Sequence, residues 1–313
     1  MALRFEFSSL CLPILKDDQI IGFNSGWRTI HFKNAVNSIN ETLQQINQPA
    51  EINNAKSHTD QAFSAKHDDI LLYLYELGFL ELKEAQSLPW NSYHEHTLAT
   101  GRAMRHAMLQ KQGLDTAPNL NKETLLRSLF ESYHIINSAV AHIMPALEND
   151  LSFEELSYLD DYLEEERWHG QFLYYGLRKA GISQEKIQAT GPLKETQNLI
   201  SFLSQLAKDD FTSYSLCISI TESPSNSPGY IKQRLREWKR MEDLNLIPRD
   251  ALKVFRQHEE ADLAFGHGDF SKNFTFKNEF IEPEHQKSIE KTIIEFISLQ
   301  GAVYKELKKI TEI

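Results

Sequence analysis

The chain has 313 residues, 41% hydrophobic and 25% charged, which fits globular folding with core enough for one large or two modest domains. A net charge of -11 and a pI near 5.6 argue against a general nucleic-acid or anionic-membrane surface, and the basic run Lys232 to Arg240 reads first as one solvated helix face. Cys11 and Cys217 are far apart without paired spacing, so neither a disulfide framework nor a cysteine zinc site is expected, and with an early acid at Glu6 and no apolar run of about 18 residues to span a bilayer, a reducing cytoplasm fits best.

In chain order, Leu12 to Phe23 and Gly26 to Phe32 are short β-branched and aromatic runs punctuated by Asp17-Asp18 and Asn24-Ser25-Gly26, which predict hairpin strands. Helical spacing follows over Ala35 to Ile46, then a polar stretch with Pro49, then a helix from His67 stopped by Gly78 ahead of the apolar run Phe79 to Leu82. Strands, then helices, then a terminal apolar run make an α+β, winged-helix-like module over residues 1–88. Pro89, Gly101, Gly113 and Pro118 mark residues 89–120 as a connecting segment. Residues 121–313 then read as an all-α bundle. Asn121 caps a helix through Leu147, the capping box Ser152-Phe-Glu-Glu155 opens one running to Gly181, and Pro224 and Pro228 close one ending at Glu222. Asp250 caps the helix that carries His258, and Pro283 fits the first turn of a last helix to Ile310.

His258 and Asp262 stand four residues apart, so one helix aims an imidazole and a carboxylate the same way, a geometry suited to a metal. Glu131, His169 and Glu222 each sit within an apolar helical pattern elsewhere, so four helices can bring five ligands to one buried cation. A second set uses local spacing: Glu131 with His134, and Glu166 with His169, are both Glu-x-x-His pairs of the kind found in di-iron carboxylate bundles. Each residue also has a plainer reading: Glu131 and Glu222 as exposed positions of amphipathic helices, His169 as a satisfied core histidine, His258 and Asp262 as a surface pair, and the acidic run Asp160 to Glu166 as a partly solvated face. Carboxylate and imidazole together suit a redox iron site, because hard oxygens hold ferric iron and imidazoles retain ferrous iron; zinc is less suited without cysteines or a compact His-Glu-x-x-His signature.

At these residues the C-terminal two-thirds resembles the heme-oxygenase-like di-iron oxidases and oxygenases, and Glu165-Glu-Arg-Trp-His-Gly170 is similar to a stretch of soluble desaturases. The resemblance implies a heme-oxygenase-like bundle in which Glu131, His169, Glu222, His258 and Asp262 hold one or two Fe(II) ions, with Tyr133, His134 and Trp168 around the pocket. Such enzymes close the ligand set with His-x-x-x-Asp-x-x-His, and here the last position is Phe265, whose ring would fill the place of the second iron's ligand. His267 is near, but a regular helix turns it to the opposite face, and only a break at Gly266 would bring it in. The N-terminal module is similar in pattern and length to the winged-helix leader-peptide-recognition domain of enzymes that modify ribosomally made peptides, which captures a peptide as an added strand. The implied function is a cytoplasmic, dioxygen-dependent non-heme iron oxidase or oxygenase acting on an amino acid or on a residue of a precursor peptide, with a homodimer allowed. The alternative is a redox-silent peptide-binding adapter with a degenerate metal site, its winged helix serving in packing or dimerisation.

Overall fold

The computed structural model describes residues 2–3, 5–10, 12–16, 19–24, 29–31, 50–51, 67–82, 86–111, 121–222, 228–274 and 280–311. The chain divides into two compact units, residues 1–107 with 276–291, and residues 108–275 with 292–313.

The first unit opens with β1 (Ala2–Leu3), β2 (Phe5–Phe7), β3 (Leu12–Lys16), β4 (Gln19–Asn24), β5 (Thr29–His31) and β6 (Ala50–Glu51). β3, β4 and β5 form an antiparallel meander, with Ile14 opposite Gly22 and Phe23 opposite Ile30. These are the strands that the β-branched runs predict; the expected helix over Ala35 to Ile46 lies outside the described residues. α1 (His67–Glu76) stops at Gly78, whose φ of +74° gives the left-handed turn that lets β7 (Leu80–Leu82) return and pair with β2, Phe5 opposite Leu82. Phe23 and Phe79 stack at 5.2 Å between centroids and are both fully buried, so this small unit has an aromatic core of its own. β8 (Leu88–Pro89) pairs with β9 (Phe280–Ile281), which brings a late segment of the chain into the first unit.

The expected connecting segment is largely a helix, α2 (Trp90–Lys111), which starts directly after Pro89. Gly101 lies inside it and is buried, so a residue that reads as punctuation is a packing position. A mid-helix glycine costs about 1 kcal/mol of propensity, which burial of the surrounding apolar face offsets.

The second unit is helical. Asn121 accepts from the Thr124 amide and opens α3 (Lys122–Asn137), as expected, but that helix ends at Ser138 instead of reaching Leu147. A short α4 (Ala139–Ile143) and a 3-10 turn over Met144–Glu148 follow, the latter containing Pro145, which cannot donate to a continuing α-helical ladder. The Ser152–Glu155 capping box is formed in both directions and opens α5 (Phe153–Lys179), with Gly181 left-handed just past its end. Next come α6 (Gln184–Ala189), α7 (Lys194–Asp209), α8 (Phe211–Thr221), α9 (Pro228–Leu244), α10 (Arg249–Phe265) and α11 (Pro283–Thr311). Pro248, not Asp250, precedes α10, and no side chain caps that end; Asp250 lies in the first turn, where its charge favours the helix dipole.

Two glycines of α5 set how closely its neighbours approach. A Cβ on Gly176 would stand 2.5 Å from the ring of buried Phe255 on α10, and one on Gly170 would stand 2.8 Å from Asn137 Oδ1 on α3. Leu125, Phe130, Leu173, Leu177, Trp238 and Phe255 pack into one core between these helices. Gly176→Val should therefore lower the urea midpoint of unfolding by an amount equivalent to about 2 kcal/mol, because overpacking outweighs the small gain in helix propensity. Gly191→Ala, where an added Cβ meets nothing within 4 Å, should leave the midpoint unchanged.

Candidate metal centre

α5 and α10 face each other through Gly176 and Phe255, and that approach sets His169 of α5 against His258 and Asp262 of α10. Asp262 is the hub: its Oδ1 lies 3.2 Å from His169 Nδ1 and 3.5 Å from His267 Nδ1, and its Oδ2 lies 3.1 Å from His258 Nδ1. Glu166 Oε1 stands 3.5 Å from His169 Nδ1 and 3.4 Å from His267 Nδ1. Glu222, the residue that ends α8, brings a carboxylate oxygen within 4.8 Å of ligand atoms of Asp262 and His267. Among the described residues three overlapping sets could hold a metal ion: Glu166, His169 and His267; His169, His258 and Asp262; and Glu222, Asp262 and His267. The first two sets are each two imidazoles with one carboxylate.

The spacing and the unsatisfied atoms both fit a cation. Two atoms each about 2.1 Å from one metal, at tetrahedral or octahedral angles, stand roughly 3.0–3.4 Å apart, close to the contacts around Asp262 Oδ1. Asp262 Oδ1, His267 Nδ1, His169 Nε2 and His258 Nε2 are buried and make no hydrogen bond. Each unsatisfied buried polar atom costs about 1–3 kcal/mol, and two of these, Asp262 Oδ1 and His267 Nδ1, face each other at 3.5 Å, as two donors to one cation would.

Electrostatics agree. Burial raises the Asp262 carboxyl far above its ordinary range, and the charges of Glu222, Glu166 and Glu259 add to the rise. His258 is lowered to about 4 by burial and by His169, which keeps it a neutral imidazole with a lone pair to offer. His267 is lowered as well, mainly by burial. Burial also pushes Glu166 upward, but His169, His267 and Tyr162 outweigh it and hold that carboxyl below its ordinary value. Three carboxylates crowded out of water repel one another, and a divalent cation relieves the repulsion.

His267 reaches the cluster because α10 stops short of it. Gly266 takes the left-handed conformation, φ +76° and ψ 30°, its amide bonds back to Asp262, and a 3-10 turn runs from His267 to Asn273. This overturns the expectation of a regular helix that turns His267 away: the imidazole is 1% exposed and faces Glu166 and Asp262. The 3-10 turn is pinned by fully buried Phe270, whose ring meets Tyr162 at 4.3 Å and Phe274 at 4.9 Å, and by the Ser271 amide, which donates to Ser219 Oγ on α8.

Phe265, expected in a ligand's place, is 53% exposed on the last turn of α10, its ring 6.0 Å from His267 and 6.3 Å from His169. It flanks the cluster and leaves its interior to His267. Glu131 is buried but committed elsewhere: Oε1 pairs with Arg127 at 2.6 Å and Oε2 accepts from the Leu193 amide at 2.9 Å. His134 Nε2 sits 2.8 Å from the Thr190 carbonyl oxygen, and Tyr133 packs at the margin of the core. Glu131 and His134 thus fasten α3 to the turn ahead of α7, and the Glu131-His134 pair joins none of the metal-ligand sets. Trp168, expected in the pocket, is 68% exposed, because its neighbour His169 takes the inward direction on α5. The residues missed by sequence reasoning are Glu165, 3.1 Å from His267 Nε2, and Tyr162, whose ring lies 4.7 Å from that imidazole. The sequence signals near them are the acidic run Asp160 to Glu166, which reads as a partly solvated face, and the desaturase-like stretch that begins at Glu165.

No protein-family model matches the sequence, and no curated protein matches it. Among solved structures, the chain is similar to a domain of unknown function with a heme oxygenase-like fold from Shewanella denitrificans OS217, with a TM-score of 0.55 and 18% identity over 70% of this chain and 91% of that one. The heme oxygenase-like fold is thereby shown, and at that identity the likeness speaks to fold alone. No described helix is long and apolar enough to cross a membrane.

An added Cβ at Gly266 meets nothing within 4 Å, so Gly266→Ala carries only the backbone cost of a left-handed alanine, about 1 kcal/mol. The expected result is a small drop in the urea midpoint, with Gly266→Asn dropping less, because asparagine tolerates this conformation better. Equal and negligible effects would show that the turn does not depend on glycine.

Proposed function

We propose that this protein is a non-heme ferrous iron oxidase or oxygenase, using dioxygen on an amino acid or on a residue within a peptide. The observation that carries the reading is the pair of overlapping two-histidine, one-carboxylate sets buried in the helical unit, a donor combination that suits ferrous iron with open positions. Glu166, His169, Glu222, His258, Asp262 and His267 would hold one or two ions, carboxylates balancing charge and neutral imidazoles retaining the ferrous state. Ferrous iron in such a set supplies electron transfer to dioxygen. The chain's own part would be to hold these donors in place, through α5, α10 and the Phe270 anchor, with the rings of Phe172 and Phe265 within 6.4 Å of the His169 ring.

Anaerobic titration of the full chain with ferrous iron should show one to two equivalents bound, with His267→Ala and Asp262→Ala each weakening binding at least tenfold. Glu131→Gln should bind as the parent does, since its partners are Arg127 and Leu193. Absence of iron by elemental analysis together with no binding in the titration would sink the enzyme reading and favour the peptide-binding adapter.

Delivery of a peptide by the N-terminal unit is the further part of this proposal. Its support is the β3-β4-β5 meander, whose outer strands pair on one side alone among the described residues, as strand addition requires. Calorimetry of the full chain with short peptides encoded beside its gene should show binding; none binding would leave a free amino acid as the substrate class.

A further inference from the structure

We propose that Glu165 is the positioning residue for His267, accepting a hydrogen bond from its Nε2–H and so presenting the Nδ1 lone pair to the metal-ligand cluster. The inference rests on the metal reading above for its consequence, and on this geometry for its substance.

Two consecutive acids of α5 grip the two nitrogens of one imidazole. Glu165 Oε2 lies 3.1 Å from His267 Nε2 in hydrogen-bonding geometry. Glu166 Oε1 lies 3.4 Å from Nδ1, and Asp262 Oδ1 lies 3.5 Å from it, both without a hydrogen bond at Nδ1. A neutral imidazole has one N–H and one lone pair, so a good acceptor at Nε2 fixes the proton there and frees Nδ1. Ligand histidines are commonly held this way, with a carboxylate on the far nitrogen fixing tautomer and ring orientation.

His267 needs such a device more than the other two histidines. His169 and His258 stand inside long α-helices, whereas His267 is the first residue of a 3-10 turn behind a left-handed glycine. Its backbone leaves the ring direction to side-chain contacts. The Tyr162 ring at 4.7 Å and the Phe265 ring at 6.0 Å limit its swing, and Glu165 sets its rotation. The Glu165 side chain is about a third exposed and reaches inward from the edge of the cluster, while the imidazole it meets is buried. Glu164 beside it is spent on an exposed pair with Arg167 and serves as a control.

The test uses the full chain, with ferrous iron as probe. Glu165→Ala should weaken iron binding by roughly 10- to 100-fold, the usual range for loss of a partner behind a ligand. Glu165→Gln, whose amide oxygen still accepts from Nε2–H, should recover most of that, and Glu164→Ala should change nothing. Nitrogen-15 NMR of the metal-free parent should show His267 as the Nε2–H tautomer, and Glu165→Ala should lose that single form while keeping a native circular dichroism spectrum. Parent-like affinity in Glu165→Ala, equal losses in the alanine and glutamine variants, or an Nδ1–H tautomer in the parent would each overturn the proposal. If the parent binds no iron, the metal reading fails, and the tautomer measurement still decides the Glu165 contact.

Discussion

Everything in the helical unit is arranged around the burial of Asp262 among other acids. Taking a carboxylate out of water is costly unless it is paired, and this one is faced by His169, His258 and His267 while Glu166 and Glu222 stand close enough to repel it. Burial and the neighbouring acids push the Asp262 carboxyl upward, and burial and His169 push the His258 imidazole downward, so both shifts disfavour charge in the cluster. A protein gains nothing in stability from such a cluster, since apolar residues of similar volume would pack without the desolvation cost. A bound cation would offset that desolvation cost by giving the buried donors a partner.

The scaffold is rigid where the cluster needs it. Gly170 adjoins His169 and lets α3 close on α5, and Gly176, nearly two turns on, lets Phe255 of α10 close on the same helix. His258 follows Phe255 by three residues, so one close contact fixes the distance between the histidines of two helices. Phe270 does for the 3-10 turn what those glycines do for the helices, converting an irregular segment into a fixed support through ring contacts with Tyr162 and Phe274.

The helical side of the cluster was legible because helical spacing is geometry: His258 and Asp262 share a face at any tilt, and His169 and Glu222 stand out as polar residues within apolar runs. The last imidazole was not legible by the same rule. Extending a 3.6-residue wheel from His258 through Gly266 to His267 assumes that the helix continues, and Gly266-His-Gly268 is where that assumption fails. The helix-ending signal was present in the two glycines; what a single sequence could not supply was the aromatic pocket that holds Phe270 and so makes the break permanent. In the N-terminal unit the strands were legible from their β-branched runs, while Trp90–Lys111 was hidden by Pro89, which ends β8 just before the helix starts, and by Gly101, which lies inside a buried face.

Glu131 and Glu166 show why residue type and burial do not assign a role by themselves. Both are glutamates at similar depth, on neighbouring helices, each three residues before a histidine. Arg127, one turn before Glu131, pairs with its Oε1 at 2.6 Å, and the Leu193 amide donates to its Oε2, so that acid has a counter-charge within the protein. Among the described residues Glu166 meets two imidazoles and a tyrosine hydroxyl and no guanidinium. A neutral imidazole offers a lone pair, not a positive charge, and its nitrogen and the carboxylate oxygen are then both donors to a cation. The difference between these two acids therefore lies in counter-charge: an arginine stands four positions before Glu131, and a tyrosine four positions before Glu166.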